Sequence, residues 1–498
     1  MVAAAAAGLA TAGPVGPLAP AAPVGPFWGS EVVIDSGAVA AFDATSDSSG
    51  VIWAAIAYPD NAVGLYFSTD YGSTWQGRWA MRADSAVRQV QLLAGQGDSS
   101  FLYLFMLQAG NGGDLWLARV RMDSAGDNVV PVAVGPDTID DFSATLDRDG
   151  RYYLYCLYAN EHRTGRTGTF TRSLDYGKSW ESGTDWWNAW DPCISHTSGS
   201  VIHCVWRYAL AAGEVHYSFN RHYGMSGYWS GYRIVSSEAD NCFDPVVVQA
   251  DSSPGSQAAV WVFYTVGRRG TATLDLQYSA SWDGGWNWAQ GQPFGNPLRD
   301  EQQPDLAADR SRPNDYVGLC YTSGNRASGE TTAVWWSCAN SLALTEWLDP
   351  VKVSRVPVAA LPPRIIYAPH APLRLPAVLY SEQSEAGPLG VRFAAPWFST
   401  PQTPSPGSES PATSLWPNPS AGAVRFSATL TEPGSYSLCV YEASGRLVTD
   451  LFRGWQTAGQ QSWTWNRKSS DGRRMPTGTY FLRLNGPRTV ISRRLVLF

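Results

Sequence analysis

Dense apolar runs alternate with short polar turns along most of the chain. Val51–Tyr58, Phe101–Leu107, Arg151–Tyr158, Val201–Tyr208, Ala258–Thr265, Tyr316–Thr322 and Pro376–Ser381 each read as a strand. Further strands follow at Asp114–Val120, Glu214–Phe219, Leu274–Ser279, Thr332–Cys338 and Gly390–Ala394. The unit repeats every ~45–60 residues, with period-2 patterning and Gly/Asp/Ser turns, which is the pattern of four-stranded propeller blades. Ala41–Gly50 aligns with Asp141–Gly150, and this phase places first strands near Ala41, Arg88, Asp141, Asp191, Asp244, Gln303 and Pro363. The count predicts seven blades. The seventh has no fourth strand of its own, and Phe27–Asp35 is expected to supply it, closing the ring and removing an open sheet edge.

Three turns share one spacing, S-x-D-x-G-x-x-W. Its copies are Ser68, Asp70, Gly72, Trp75; Ser173, Asp175, Gly177, Trp180; and Ser281, Asp283, Gly285, Trp288. An Asp carboxylate can accept nearby backbone N–H groups, Gly supplies positive φ, and Trp plugs the turn, so these Asp residues are expected to be structural. The motif resembles the Asp-box of sialidase-like (BNR-repeat) β-propellers. In this geometry the Asp-boxes lie on the face opposite the strand-one starts, away from any channel-mouth site.

From Ser399 the composition turns to Pro, Ser, Thr and Glu, as in an extended linker over 399–415. Alternating strands then run at Val424–Leu430, Gly434–Tyr441, Gly445–Val448, Ser462–Asn466, Gly478–Leu484 and Ser492–Phe498, suggesting an Ig-like sandwich over 416–498. The fold class read from the sequence is therefore all-β: a seven-bladed propeller over 27–398 plus a C-terminal Ig-like sandwich. Asn418 between two prolines, VYEASGRLV, SDGRRMPTGTYFLRL and RRLVLF resemble the C-terminal sorting domain of type IX secretion cargo, related to the flagellar-hook-scaffold Ig-like fold. That resemblance implies the type IX secretion machinery as a partner of 416–498, and a secreted or outer-cell-surface location. Residues 1–26 are Ala/Gly/Pro-rich and read as a leader or the remnant of a signal segment, without the basic start of a signal peptide.

Charge narrows the partners. The net charge is −7 with no basic block, which gives no support to nucleic acid. No apolar run is long enough for a helical membrane span. Seven cysteines are odd in number. Cys193 with Cys204, and Cys320 with Cys338, could face each other on neighbouring strands, and buried free thiols are the alternative.

The alignment nominates a site without a catalytic motif. Asp141, Asp191 and Asp244 stand at three consecutive strand-one starts, where carboxylates can bind a cation or sugar hydroxyls, or act as acid and base. The alternative is that the Asp-Pro pairs simply shape the strand entry. Arg88 belongs to the same set. Trp186, Trp187 and Trp190 offer faces for sugar stacking, or pack between blades. Arg163, Arg166, Arg268 and Arg269 could hold a carboxylated or sulfated ligand, and Glu301 adds an acid. His162 with Arg163 or Arg166 would be the pair a polysaccharide lyase needs. His196, His203 and His216 are read as structural.

Sialidase activity is doubtful. The family needs an arginine triad opening with R-I-P, a Tyr–Glu pair and an Asp. The nearest string, Tyr232-Arg233-Ile234-Val235, lacks the Pro and falls on a fourth strand. No zinc-hydrolase, P-loop or G-x-S-x-G motif is present. No cofactor is expected, and a Ca²⁺ among the acidic loops stays open. The leading reading is a binder of an extracellular glycan that is not an enzyme. A glycoside hydrolase or lyase using Asp141, Asp191 and Asp244 is the second reading. A structural or adhesive protein contacting surface proteins or copies of itself is the third. An enzyme calls for a deep pocket with a perturbed carboxylate. A binder calls for a Trp platform with unperturbed acids.

Overall fold

The computed structural model describes residues 28 and 31–497, except 96–100, 111–113, 122–126, 134–137, 163–164, 209–212, 238–240, 250–258, 268–272, 297, 309–315, 325–331, 341–346, 371–372, 385–386, 396–412, 417–421, 431–432, 443–445 and 486–489. The predicted leader, Arg163, Arg268, Arg269 and most of the predicted linker lie outside the described residues.

Seven four-stranded antiparallel sheets follow one another along the chain. Their inner strands are Ala41–Ser46, Val87–Ala94, Thr138–Leu146, Ala189–Thr197, Asn241–Gln249, Asp300–Ala308 and Arg364–His370, numbered here as blades one to seven. Second strands such as Ile52–Ala57 and Phe101–Gln108 are buried almost throughout. Covered on both faces by neighbouring blades, they read as continuous apolar runs rather than alternating ones.

Blade seven is closed from the other end of the chain. Val32–Ala38 pairs antiparallel with Gly387–Ala394, with Val32 opposite Phe393 and Ala38 opposite Leu389. The expected segment, Phe27–Asp35, overlaps this strand but begins too early. Trp28 instead packs edge-on against Trp336 of blade six, with ring centroids 5.6 Å apart. Arg392 joins the latch to its sheet through Glu31 at 3.6 Å and Glu382 at 2.6 Å.

The three Asp-boxes share the same Ser–Asp–Gly hydrogen bonds, and those of blades one and five add a bond from the Trp indole to the Gly carbonyl. In blade one, Asp70 Oδ1 accepts the Thr74 N–H (2.8 Å) and the Ser68 hydroxyl (2.8 Å), Ser68 Oγ accepts the Gly72 N–H (2.7 Å), and Trp75 Nε1 donates to the Gly72 carbonyl (3.1 Å). A fourth copy was not visible as a motif. Asn220 takes the place of the Ser and accepts the Gly224 N–H at 3.0 Å, while Trp229 fills the Trp position from two residues further along than the motif's spacing allows. All four turns carry two successive left-handed residues: Tyr71-Gly72, Tyr176-Gly177, Tyr223-Gly224 and Gly284-Gly285. A Cβ on the second of each pair would overlap Phe393, Leu117, Phe170 or Tyr217, respectively. Every one of these belongs to the third strand of the preceding blade. The Asp-box therefore spaces the blades as well as closing a hairpin.

The C-terminal unit is a two-sheet sandwich. Thr413–Trp416, Val424–Leu430 and Gly459–Trp465 form one sheet, and Leu447–Gln456, Gly434–Glu442, Gly478–Asn485 and Val490–Leu497 the other. Phe426, Leu438, Val440, Trp465, Leu482 and Leu495 fill the space between them. Its first strand starts inside the segment read as linker, because Thr413 already pairs with Ala428.

All seven cysteines are free. Cys204 stands opposite Ile194, not Cys193, so the two thiols point to opposite faces of the sheet. Cys320 stands opposite Trp336, which leaves Cys338 only a diagonal neighbour.

Candidate functional site

The inner strands leave a backbone edge facing the ring axis, and side chains of neighbouring blades lace it. Asp43 Oδ2 accepts the Leu92 N–H at 2.7 Å, and Gln91 both accepts the Ala144 N–H (2.6 Å) and donates to its carbonyl (2.9 Å). Ser143 Oγ accepts the Ile194 N–H at 3.2 Å, Asp305 Oδ2 accepts the Ile365 N–H at 2.8 Å, and the Ser46 hydroxyl donates to the Tyr367 carbonyl at 3.0 Å. Backbone groups that would otherwise lack partners are thus satisfied around the ring.

The laced strands enclose a cavity of about 390 Å³, lined by all seven blades. Asp43, Asp141, Asp191, Asp244, Asp305 and Arg364 line it. Each inner strand of blades two to six bulges near its start, and the skipped residues are Arg88, Asp140, Asp191-Pro192, Asp244-Pro245 and Gln303-Pro304. A bulge re-aims a side chain out of the pleat. Asp191, Asp244 and Gln303 hold positive φ (46°, 50° and 56°) immediately before a proline. Three non-glycine residues in the left-handed region at one rim represent backbone strain held in place by the surrounding ring.

Asp141, Asp191 and Asp244 influence one another electrostatically across this rim. Burial, reinforced by the Asp191 charge, pushes Asp141 up to about 7. The same two causes lift Asp244 to about 6, with Arg207 pulling the other way. Asp244 lines the cavity and keeps an exposed side chain there, so its neighbour Asp191 is the firmer of the two causes. Asp191 forms an ion pair with Arg207 at 2.8 Å. On the other side of the cavity, burial raises Asp43 to about 6 against the pull of Arg364, and burial likewise raises Asp305.

The remaining nominated residues separate. Arg88 is exposed and donates to the Ile139 carbonyl at 3.0 Å, bridging blades two and three. Arg166 pairs with Asp140 and lies 3.5 Å over the Trp190 ring, with Arg207 5.0 Å from the same ring. Trp186 packs on Trp206 (5.4 Å) and Trp229 (4.9 Å), within the joint between blades three and four. Trp187 ends the fourth strand of blade three. Glu301 is 2% exposed under the loop leading into blade six, where Asn296 N–H donates to it at 3.0 Å and burial lifts it to about 7. It does not line the cavity. His162 lies in Leu154–His162, and Arg233 falls on the fourth strand of blade four.

Asp43, Asp305, Arg364 and Arg207 were missed by the sequence reading. Asp305 lies two residues beyond the position the alignment chose because the bulge intervenes, and Arg364 lies one residue beyond it on a strand whose register is unbroken. A search for ionisable residues within three positions of each strand-one start would have found Asp43, Asp305 and Arg364. Arg207 comes from a second strand and carries no such signal.

The ligand atoms of Asp147, Asp149 and His196 come within 4.8 Å of one another. Their carboxylates are already engaged. Asp147 accepts Asp149 N–H, Arg151 N–H and the Tyr155 hydroxyl, and Asp149 accepts Gly199 and Ser200 N–H groups. Asp47 builds the same turn in blade one with no histidine, accepting Ser49 and Val51 N–H groups. The cluster is turn architecture.

Comparison with known proteins adds the following. Residues 417–488 match the FlgD Ig-like domain. No curated protein matches the chain. The BP39L lectin of Burkholderia pseudomallei is similar at a TM-score of 0.51 and 11% identity, over 73% of this chain and 96% of that one. A Dyadobacter fermentans protein of unknown function is similar at 0.43 and 12%, over 75% and 98%. The Penicillium chrysogenum α-L-arabinanase complexed with arabinobiose gives 0.41 and 14%, over 74% and 98%. At such identities the lectin likeness is one of fold: the chain is a β-propeller of the kind that lectin has, followed by a FlgD Ig-like domain.

Proposed function

We propose that the channel is a carbohydrate site, and that Asp141, Asp191 and Asp244 act on the bound sugar as acid–base groups of a glycoside hydrolase. The observation that carries this reading is the convergence of three aspartates, from three consecutive blades, on one channel cavity, two of them on strained bulges. Asp141, raised to about 7, carries a proton in about half of the molecules at neutral pH and can give it to a leaving oxygen, and Asp191, paired with Arg207, is the second carboxyl group of the site. The fold, shared with a lectin, supports the carbohydrate class.

Binding without turnover is the second reading. It is favoured by the recurrence of the bulge in blade six with Gln303, which has no acid–base chemistry, so the bulge serves the fold as well as the site. Trp190 gives this reading less support, because Arg166 already covers its ring. Export and surface retention through 416–498 belong to the same proposal, and recovery of the protein solely from cytoplasm would refute that part.

The test is a glycan array and a polysaccharide-turnover screen of the wild type beside Asp141→Asn, Asp191→Asn and Asp244→Asn. Turnover lost in all three with binding retained supports hydrolysis. Binding by the wild type with no turnover of the bound sugar supports the lectin reading. Glycan binding unchanged by all three substitutions, with no turnover, removes the site.

A further inference from the structure

Arg364 sits in the channel opposite the aspartate trio, and its guanidinium is held by charge alone. Its Nε is 3.6 Å from Asp43 Oδ1, beyond hydrogen-bonding distance, and that nitrogen is buried with no acceptor among the described residues. Asp43 and Asp305, its two anionic neighbours, each spend a carboxylate oxygen on the backbone of the next blade, at Leu92 and Ile365. A guanidinium carries five donors in a planar fork, and one left without acceptors in a cavity is a costly arrangement unless something else fills them. The side chain is 28% exposed, so the fork can be reached from the cavity.

The surrounding charge restricts what can fill it. Five aspartates line the cavity with Arg148 and Arg364, and the nearby cations Arg166 and Arg207 are already paired with Asp140 and Asp191. A ligand carboxylate reaching Arg364 would enter a cavity whose aspartates outnumber its arginines, whereas a ring oxygen or hydroxyl meets no such barrier, and a hydroxyl can also donate to the aspartates. We infer that Arg364 is a specificity-determining residue that donates to the oxygens of an uncharged sugar and sets the sugar's orientation against Asp141, Asp191 and Asp244, and that uronate-bearing sugars are rejected. This inference rests on the carbohydrate reading of the channel. It also separates the site from the arginine triad of sialidases, whose ligand is an acid.

The experiment measures binding of neutral pentose and hexose oligosaccharides, beside uronic-acid oligosaccharides, to wild type, Arg364→Lys and Arg364→Met. Arg364→Lys keeps the positive charge between Asp43 and Asp305 and so preserves the fold, but it removes the planar fork. The expected result is that the wild type retains a neutral sugar and no uronate, and that both variants bind it at least ~10-fold more weakly, ~1.4 kcal/mol. Neutral-sugar binding that is unchanged in both variants overturns this inference alone. Tighter binding of uronates than of neutral sugars by the wild type also overturns it. A wild type that binds no sugar of either kind sinks the carbohydrate reading, and this inference with it.

Discussion

The indole of Trp75 meets the ring of Phe393 edge-on, with centroids 5.4 Å apart. Trp75 closes the Asp-box of blade one, and Phe393 lies on the third strand of blade seven, the strand that pairs with the N-terminal latch. The turn, the blade joint and the ring closure therefore meet at one aromatic contact. The same relation recurs as Trp288 on Tyr217 at 4.7 Å.

Gly72→Ala and Gly150→Ala separate backbone strain from packing. Both glycines are left-handed, at +85° and +77°, but a Cβ at Gly72 overlaps Phe393 while Gly150 has open space around it. Gly150→Ala should cost about 1–2 kcal/mol from φ alone. Gly72→Ala should cost about 3 kcal/mol or more, because overpacking adds to it. Denaturant midpoints of the two variants measure the difference.

The Asp-boxes should hold to low pH. Burial disfavours the charge of Asp175, but bonds from Ser179, Ser173 and the Lys178 N–H outweigh it and bring it down to about 2, and Asp283 falls to about 2 by the same balance. A carboxylate lowered by folding stabilises above its unfolded value of ~3.9, and that stability is lost as pH falls toward 2. Asp175→Asn should flatten the fall of melting temperature between pH 4 and 2, measured by thermal melts across that range.

Asp141 should act in the opposite sense. Its value rises to about 7 on folding, so the folded state holds the proton more tightly and loses stability as pH climbs from ~4 to ~7. Asp141→Asn should therefore gain melting temperature over wild type at pH 8 and gain little at pH 4. A gain equal at both values would show that the carboxylate is not perturbed by its site.

Removal of the latch should open the ring. Without Val32–Ala38, the strand Gly387–Ala394 becomes a free edge of a buried sheet, which is a template for pairing between chains. A variant beginning at Val39 should form concentration-dependent aggregates by light scattering, where the full chain does not.

Thiol titration checks the cysteines. Burial pushes Cys338 up to about 12 and Cys193 to about 11, so neither forms a thiolate readily near neutral pH. The native protein should react slowly with a thiol reagent, and all seven cysteines should react in denaturant without a reductant.

The repeat was legible because each blade obeys local rules. Turn chemistry demands Ser, Asp and Gly at fixed spacing, and a strand covered on both faces demands a continuous apolar run, so Ser173–Trp180 and Phe101–Leu107 could be read directly. The fourth Asp-box escaped notice because Asn220 replaces the Ser side chain with another acceptor, and Trp229 arrives two residues late. The latch position slipped because Trp28 looks like a strand residue and is instead a plug between sheets.

The sequence by itself determined the all-β class, the seven repeats and the phase of each blade, since all of these follow from nearest-neighbour patterns along the chain. It also brought Asp141, Asp191 and Asp244 into one register. Only the tertiary structure decided which side chains face the axis. That depends on bulges at Asp140, Asp191, Asp244 and Gln303, and a bulge shifts the two-residue alternation without changing composition. The meeting of Arg364 with Asp43 and Asp305, from the last, first and sixth blades, exists only once the ring has closed.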